Sequence, residues 1–111
     1  MKRNTFLALL FVFCALANNA SAAESKHAQE YEESMTKMHH GMMVEYTNDP
    51  DADFVRGMIP HHQGAIDMAK IQLKYGTDPE IRTLAEGIIK AQEAEIKQMN
   101  AWLEKRKAEK K

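Results

Sequence analysis

Residues 54–69, FVRGMIPHHQGAIDMA, contain the pattern that decides the fold. A helix turns by about 100° per residue. This rotation places one set of side chains within roughly a third of the circumference, namely Met58, His61, His62, Ala65, Met68 and Ala69. Phe54 and Val55 extend the same apolar face toward the N-terminus. Because the face stays in register across Pro60, we expect one kinked helix over residues 52–75 rather than two separate helices.

A second helix is predicted before this segment, over residues 25–46. Its apolar side chains recur at steps of three and four residues, which is the helical period, at Tyr31, Met35, Met38, Met42 and Tyr46. The sequence TNDP at residues 47–50 is typical of a turn. Asp51 or Asp53 would then cap the N-terminus of the helix over residues 52–75, and Gly76 would end it.

A third helix is predicted after Gly76, beginning at a capping box formed by Thr77 and Glu80. Its inner side is expected to carry Ile81, Leu84, Ala85, Ile88, Ile89, Ile96, Met99, Trp102 and Leu103. The charged tail at residues 105–111 is expected to fray, and acidic and basic residues such as Glu93 and Glu95 to form a solvated face. With no alternating strand pattern in the sequence, the fold class is predicted as all-α, a small antiparallel helical bundle.

The N-terminus is typical of a secretory signal peptide. Lys2 and Arg3 precede an apolar run from Phe6 to Ala17, and Ala20-Ser21-Ala22 provides the small residues of a cleavage site. Cleavage after Ala22 would leave residues 23–111 as a single helical metal-binding domain, periplasmic or secreted, without stable membrane insertion. It would also remove Cys14, the one cysteine of the chain, so the mature protein would have no thiolate ligand.

Composition and motifs argue against several function classes. The chain has 15 basic and 16 acidic residues, a balance that does not favour nucleic-acid binding. The sequence contains no Gly-rich phosphate loop, no H-E-x-x-H and no C-x-x-C within residues 23–111. A redox enzyme with a di-iron bundle would need several inward carboxylates, for which Asp67 and Glu45 are the nearby candidates. We therefore expect the protein not to be an enzyme.

Methionine and histidine are the unusual residues, with 8 and 5 copies in the chain. If the first two helices pack antiparallel, their Met/His faces meet in a pocket lined by sulfur and nitrogen, and the two adjacent imidazoles point to the interior. Thioether is a soft ligand that binds Cu(I), and by the same logic Ag(I), whereas imidazole accepts both oxidation states of copper. The candidate metal ligands are Met58, His61, His62, Met68, Met35, Met38, His39 and Met42.

The segment from Asp51 to Ala69, with its M-I-P-H-H string followed by Ala65 and Met68-Ala69, resembles the signature of the exported bacterial proteins grouped as domain of unknown function 305. This resemblance implies a ferritin-like helical bundle, copper binding and a role in copper tolerance outside the cytoplasm. The family's metal-binding residues would correspond to Met58, His61, His62 and Met68. The segment from Met35 to His39 resembles an upstream Met/His segment of some members, which is a looser match.

The leading hypothesis is an exported copper-binding protein that buffers Cu(I) or passes it to a transfer partner. An adaptor bundle whose Met-rich face docks a partner, with no metal role, is the alternative. The sequence leaves open whether storage or transfer dominates, whether the chain forms a homodimer and whether one protomer holds a full site.

Overall fold

The computed structural model describes residues 25–110, and the predicted signal peptide lies outside this range. Three helices follow one another: α1 (Lys26–Met42), α2 (Pro50–Tyr75) and α3 (Pro79–Glu109). The structure is 86% helical and has no strand in the described range, which confirms the all-α prediction. None of these three helices is both long enough and apolar enough to cross a membrane.

Helix α2 lies between the other two and runs antiparallel to both. On one side, Tyr75 donates a hydrogen bond of 2.7 Å to Glu30 near the start of α1. On the other side, Arg82 near the start of α3 donates one of 2.8 Å to the backbone carbonyl of Leu73. Helices α1 and α3 both pack against α2 but, between residues 25 and 110, not against each other. The bundle is therefore a single layer of three helices.

The core of this layer is small. Four apolar residues are buried in the described part of the chain: Ile66, Ala69, Ile71 and Ala85. Two residues predicted on the inner side of α3 are instead well exposed, Ile81 at 44% and Leu84 at 58%. Their prediction was wrong because α1 does not reach across α2 to cover them.

Both long helices begin with the dipeptide Asp-Pro. The Asp49 carboxylate accepts a hydrogen bond from the Ala52 amide, and Pro50 is the first residue of α2. In the same way Asp78 accepts from two amides of the first turn of α3, which begins at Pro79. Aspartate at the cap and proline at the first helical position is a favourable start because proline lacks an amide that would need a partner. These caps replace the predicted ones at Asp51 or Asp53 and at the Thr77–Glu80 box.

The helix ends also differ from the sequence predictions. Helix α1 stops at Met42 rather than at Tyr46, whose side chain is 80% exposed and has nothing to pack against. The chain then turns back, since Thr47 donates from its amide and its hydroxyl to the Asp53 carboxylate. Helix α2 is continuous through Pro60. Helix α3 stays helical to Glu109, so the expected fraying does not occur up to that residue.

Asp49 joins the start of α2 to the end of α3. Its carboxylate lies 3.2 Å from both Arg106 and Lys110 in addition to capping α2. The amide of Ala52, with the Lys110 and Arg106 side chains, holds the pKa of Asp49 below its ordinary value. Asp49 therefore stabilises the folded state more as a carboxylate than as an acid.

We expect Asn in place of Asp49 to lower the melting temperature at neutral pH, because Asn keeps the cap but loses both ion pairs. A group whose pKa is lowered on folding contributes stability above its unfolded pKa, near about 4, and loses it as the pH falls through the folded pKa. The difference between wild type and variant should therefore be full at pH 7 and shrink progressively below about pH 4. Circular dichroism melts over this pH range measure it.

Asp51→Asn is the matched control, because Asp51 is an exposed acid of the same helical turn. A pH-independent difference for Asp49→Asn, or an equal loss in the control, would contradict the role of the ion pairs.

Candidate metal centre

The two adjacent histidines of α2 point to different sides of the helix. Gly64 faces α1, and His62 lies about 160° around the helix from it, directed toward α3. His61 lies between these directions and is exposed. The two imidazole centroids are 6.0 Å apart with ring planes inclined by 58°. The expectation that both imidazoles point to the interior is therefore wrong for His61.

Met38 occupies a slot on α2 that exists because residue 64 is glycine. A Cβ atom at this position would lie 2.9 Å from the Cβ of Met38 and still closer to its Cγ and Sδ. One turn further along α1, a Cβ on Gly41 would lie 2.7 Å from the Cβ of Pro60. These two close approaches bring the last turns of α1 against α2, with the Met38 sulfur beside the turn that carries His61.

Most of the other predicted ligands are accessible to solvent. Met68 is 39% exposed and Met35 48%, and Met58 is half-buried. His39 and Met42 lie exposed near the end of α1. The structure thus places one group of ligands along the seam between α1 and α2 and its open side: Met35, Met38, Met42, His61 and Met68. His62 and Met58 lie instead on the side of α2 that turns toward α3.

His62 is held by a carboxylate of the neighbouring helix. Its Nε2 lies 2.5 Å from an Oε atom of Glu95, and 13% of the His62 side chain is exposed. The other ring nitrogen, Nδ1, is buried and has no hydrogen-bond partner in the protein. When Nε2 carries the proton and donates to the carboxylate, Nδ1 of the neutral ring bears a lone pair. A buried lone pair without a donor is unfavourable and needs an explanation.

This arrangement has the chemistry of a metal-ligating histidine. Such a histidine commonly donates its second N–H to a carboxylate, which fixes the tautomer and makes the ligating nitrogen more basic. Glu95 would have this orienting role, and the free Nδ1 of His62 would be the ligand. Met58 precedes His62 by four residues, so its thioether extends from the same side of α2.

Nitrogen and oxygen ligands alone form no cluster here. Within residues 25–110, no group of three or more His, Cys, Asp or Glu side chains is close enough to hold a metal ion. Methionine sulfur is the further type of ligand that the two helices offer. Thioethers would have to complete a metal site formed from these residues.

Glu95 is the residue that the sequence analysis missed. It was expected on a solvated face, whereas the structure places its carboxylate against His62. The available signal was its position in α3, directly before Ile96 and four residues before Met99. Both neighbours were predicted on the inner side, so Glu95 lies at the margin of that side rather than opposite to it.

The family model described as domain of unknown function (DUF305) matches residues 51–111, more than half of the chain. The chain belongs to this family. An uncharacterized protein of Acanthamoeba polyphaga mimivirus is similar as well, with 44% identity over 61 residues. That match covers 55% of this chain and 40% of the viral protein, so the chain spans less than half the length of this relative.

The DUF305 match separates the candidate ligands into two groups. Met58, His61, His62 and Met68 lie within it, together with Glu95. The ligands of α1 precede it: Met35, Met38, His39 and Met42. The resemblance noted from the M-I-P-H-H string is thus confirmed for α2 and α3, and the α1 ligands depend on their position in the structure.

We expect Gly64→Ala to destabilise the protein, because the added methyl group must displace Met38 from its slot. Overpacking of this kind costs about 1–3 kcal/mol, which outweighs a helix-propensity gain of about 0.5–1 kcal/mol. Urea denaturation followed by circular dichroism measures the difference.

Gly57→Ala is the matched control, since nothing lies within 4 Å of a Cβ added at Gly57 in the same helix. It should stabilise the protein by about 0.5–1 kcal/mol. If the two alanine variants were equally stabilised, Met38 would not occupy the slot.

Proposed function

We propose that this protein binds copper outside the cytoplasm and buffers Cu(I) or passes it on, contributing to copper tolerance. The observation that carries the proposal is the buried, unpartnered Nδ1 of His62, whose ring is oriented by Glu95. A ligand-ready imidazole of this kind is expected at a metal site and is unfavourable elsewhere in a small helical protein.

The surrounding donors favour a soft metal. Met58 and Met68 lie on the same helix as the two histidines, Met38 packs against that helix, and the Glu95 carboxylate contacts Nε2 of His62 rather than its free Nδ1. Thioether sulfur binds Cu(I) and Ag(I) well, whereas zinc sites use cysteine, histidine and carboxylate. Thioethers also need no deprotonation before they bind, so they suit a protein without thiolates.

The first test is a Cu(I) titration of the purified protein against a calibrated chelator, with Zn²⁺ titrated in parallel. We expect tight Cu(I) binding, weak Zn²⁺ binding and a loss of at least about tenfold in Cu(I) affinity for His62→Ala, since a ligand is removed. His40→Ala is the matched control, because His40 is an exposed histidine on α1. No competition for Cu(I), or equal losses in both variants, would overturn the site.

The orienting role of Glu95 has its own test. Glu95→Gln should lower the Cu(I) affinity by about 10-fold, the lower end of what such an orienting partner contributes. Glu93→Gln, two residues earlier on α3 and exposed, should leave it unchanged. Circular dichroism spectra of the two variants should match wild type, because Glu95 is itself 55% exposed. Unchanged affinity for Glu95→Gln would remove Glu95 from the site.

An adaptor role without metal is the second candidate function. It is favoured by the exposed apolar side chains at Leu84, Phe54 and Met68, which a partner helix would cover. If the protein bound no Cu(I) in the titration, the methionines would be packing residues, and the adaptor role would be favoured.

A further inference from the structure

All the exposed large apolar side chains of the three helices lie on one side of the layer. We call this side the open face and define it by Met35, Met42, Phe54, Met68, Ile81 and Leu84. On α2, Phe54 and Met68 are separated by fourteen residues, which returns them to within about 40° of each other. Each helix therefore contributes two exposed apolar side chains to the open face.

The opposite side of the layer is charged. Lys37 of α1 forms an ion pair of 3.4 Å with Asp67 of α2, and Glu30 forms one of 2.5 Å with Lys74. A shallow cavity on this side is lined by Glu33 and other charged groups of α1 and α2. Along α1 and α2, the two sides of the layer thus have opposite character, with the ion pairs on one side and Met35 and Met68 on the other.

The open face contains a groove at the place where α1 and α3 fail to meet. It has a volume of about 310 Å³ and is formed by all three helices, with Tyr31 of α1 on one wall and Leu84 and Ile88 of α3 on the other. Ala65 and Ala69 of α2 form its floor. Small residues on the floor and large ones on the walls leave space for an apolar side chain from outside.

The apolar area of the open face fits a protein interface of ordinary size. The six residues that define the open face are between 36% and 64% exposed. For side chains of their size this is on the order of 100 Å² of exposed surface each, or roughly 600 Å² in total. A standard interface buries about 800 Å² per partner, of which about 65% is apolar in homodimers, or roughly 500 Å². An apolar patch of this size lies at the upper end of what soluble monomers expose, where such patches are often functional.

We propose that the open face is covered by a second copy of this chain. In a two-fold dimer the same patch serves both partners, so charged residues near its centre would oppose their own copies. The centre of the open face on α2 is uncharged, with Phe54, Ala65 and Met68. A second copy would also enlarge a core that contains, within residues 25–110, four buried apolar residues, which is very little for a domain of this size.

The dimer would also bring together the candidate copper ligands that lie on the open face rather than beside His62, and this part of the inference rests on the proposed function. The open face carries His61 and Met68 together with Met35 and Met42 of α1. Two copies placed face to face bring two such sets into one interface. Ligands from both chains could then surround one Cu(I) ion and exclude water from it.

The test is the mass of the metal-free protein in solution, measured by sedimentation equilibrium on protein purified after expression of the full 111-residue chain. Mass spectrometry identifies the N-terminus of the purified form. We expect twice the mass of one chain. Leu84→Lys should raise the dimer dissociation constant on the order of a hundredfold, because symmetry introduces the buried charge twice.

Ala94→Lys is the matched control, an exposed position about 180° around α3 from the buried Ala85. It should remain dimeric, and all three proteins should show the same helix content. A monomeric wild type, a dimer that Leu84→Lys leaves intact, or a dimer weakened equally by Ala94→Lys would each overturn the assignment.

Copper provides a separate arm of the same experiment. Cu(I) should lower the dimer dissociation constant of wild type and have less effect on His61→Ala. A metal-free dimer that binds no copper would refute the proposed function and keep the dimer. Copper binding by a protein that stays monomeric would refute the dimer and keep the proposed function.

Discussion

The contact of α2 with a neighbour on each of two nearly opposite sides governs the rest of the structure. Gly64 admits α1 on one side, and His62 lies against α3 about 160° away around the helix. Two helices in these positions cannot touch each other, so α2 keeps two long uncovered sides. The sequence makes one of these sides charged, with Asp67 and Lys74 in ion pairs, and the other apolar, with Phe54 and Met68. The small core and the open face are consequences of this one geometry.

The same geometry explains why two adjacent histidines have different environments. Neighbouring residues on a helix are about 100° apart, so a layer that covers one of them leaves the other uncovered. His62 falls on the α3 side, where Glu95 fixes its ring, whereas His61 falls on the open face. An imidazole fixed by a carboxylate is preorganised for a metal, while an exposed imidazole keeps the freedom to turn toward a ligand that arrives later. If the protein binds copper as proposed, the two histidines would contribute to binding in different ways.

The sequence predicts the helices well because their existence depends on local periodicity. Helix α1 could be predicted from the three- and four-residue spacing of its apolar side chains between Tyr31 and Met42, and α2 from its apolar face. Neither prediction required knowledge of the partner helices. The caps were misassigned because the Asp-Pro starts at Asp49 and Asp78 compete with other acceptable capping residues nearby. Exposure of Leu84 and the contact of Glu95 with His62 could not be predicted, because both depend on where α1 and α3 lie around α2. Periodicity defines the face of a helix but not which neighbour covers it.

The chemistry of the candidate ligands makes it reasonable for one surface to be both a docking face and part of a metal site. A cluster of carboxylates on the open face would repel its own copy in a symmetric dimer. Thioethers carry no charge and neutral imidazole carries none, so Met35, Met68 and His61 can be buried between two copies without a counter-ion. If both chains donate to one Cu(I) ion, binding and dimerisation are thermodynamically linked, and each must strengthen the other by the same factor. Free copper would then control the dimer, and dilution of the dimer would release copper, which is how a buffer and a carrier could be formed from the same set of side chains.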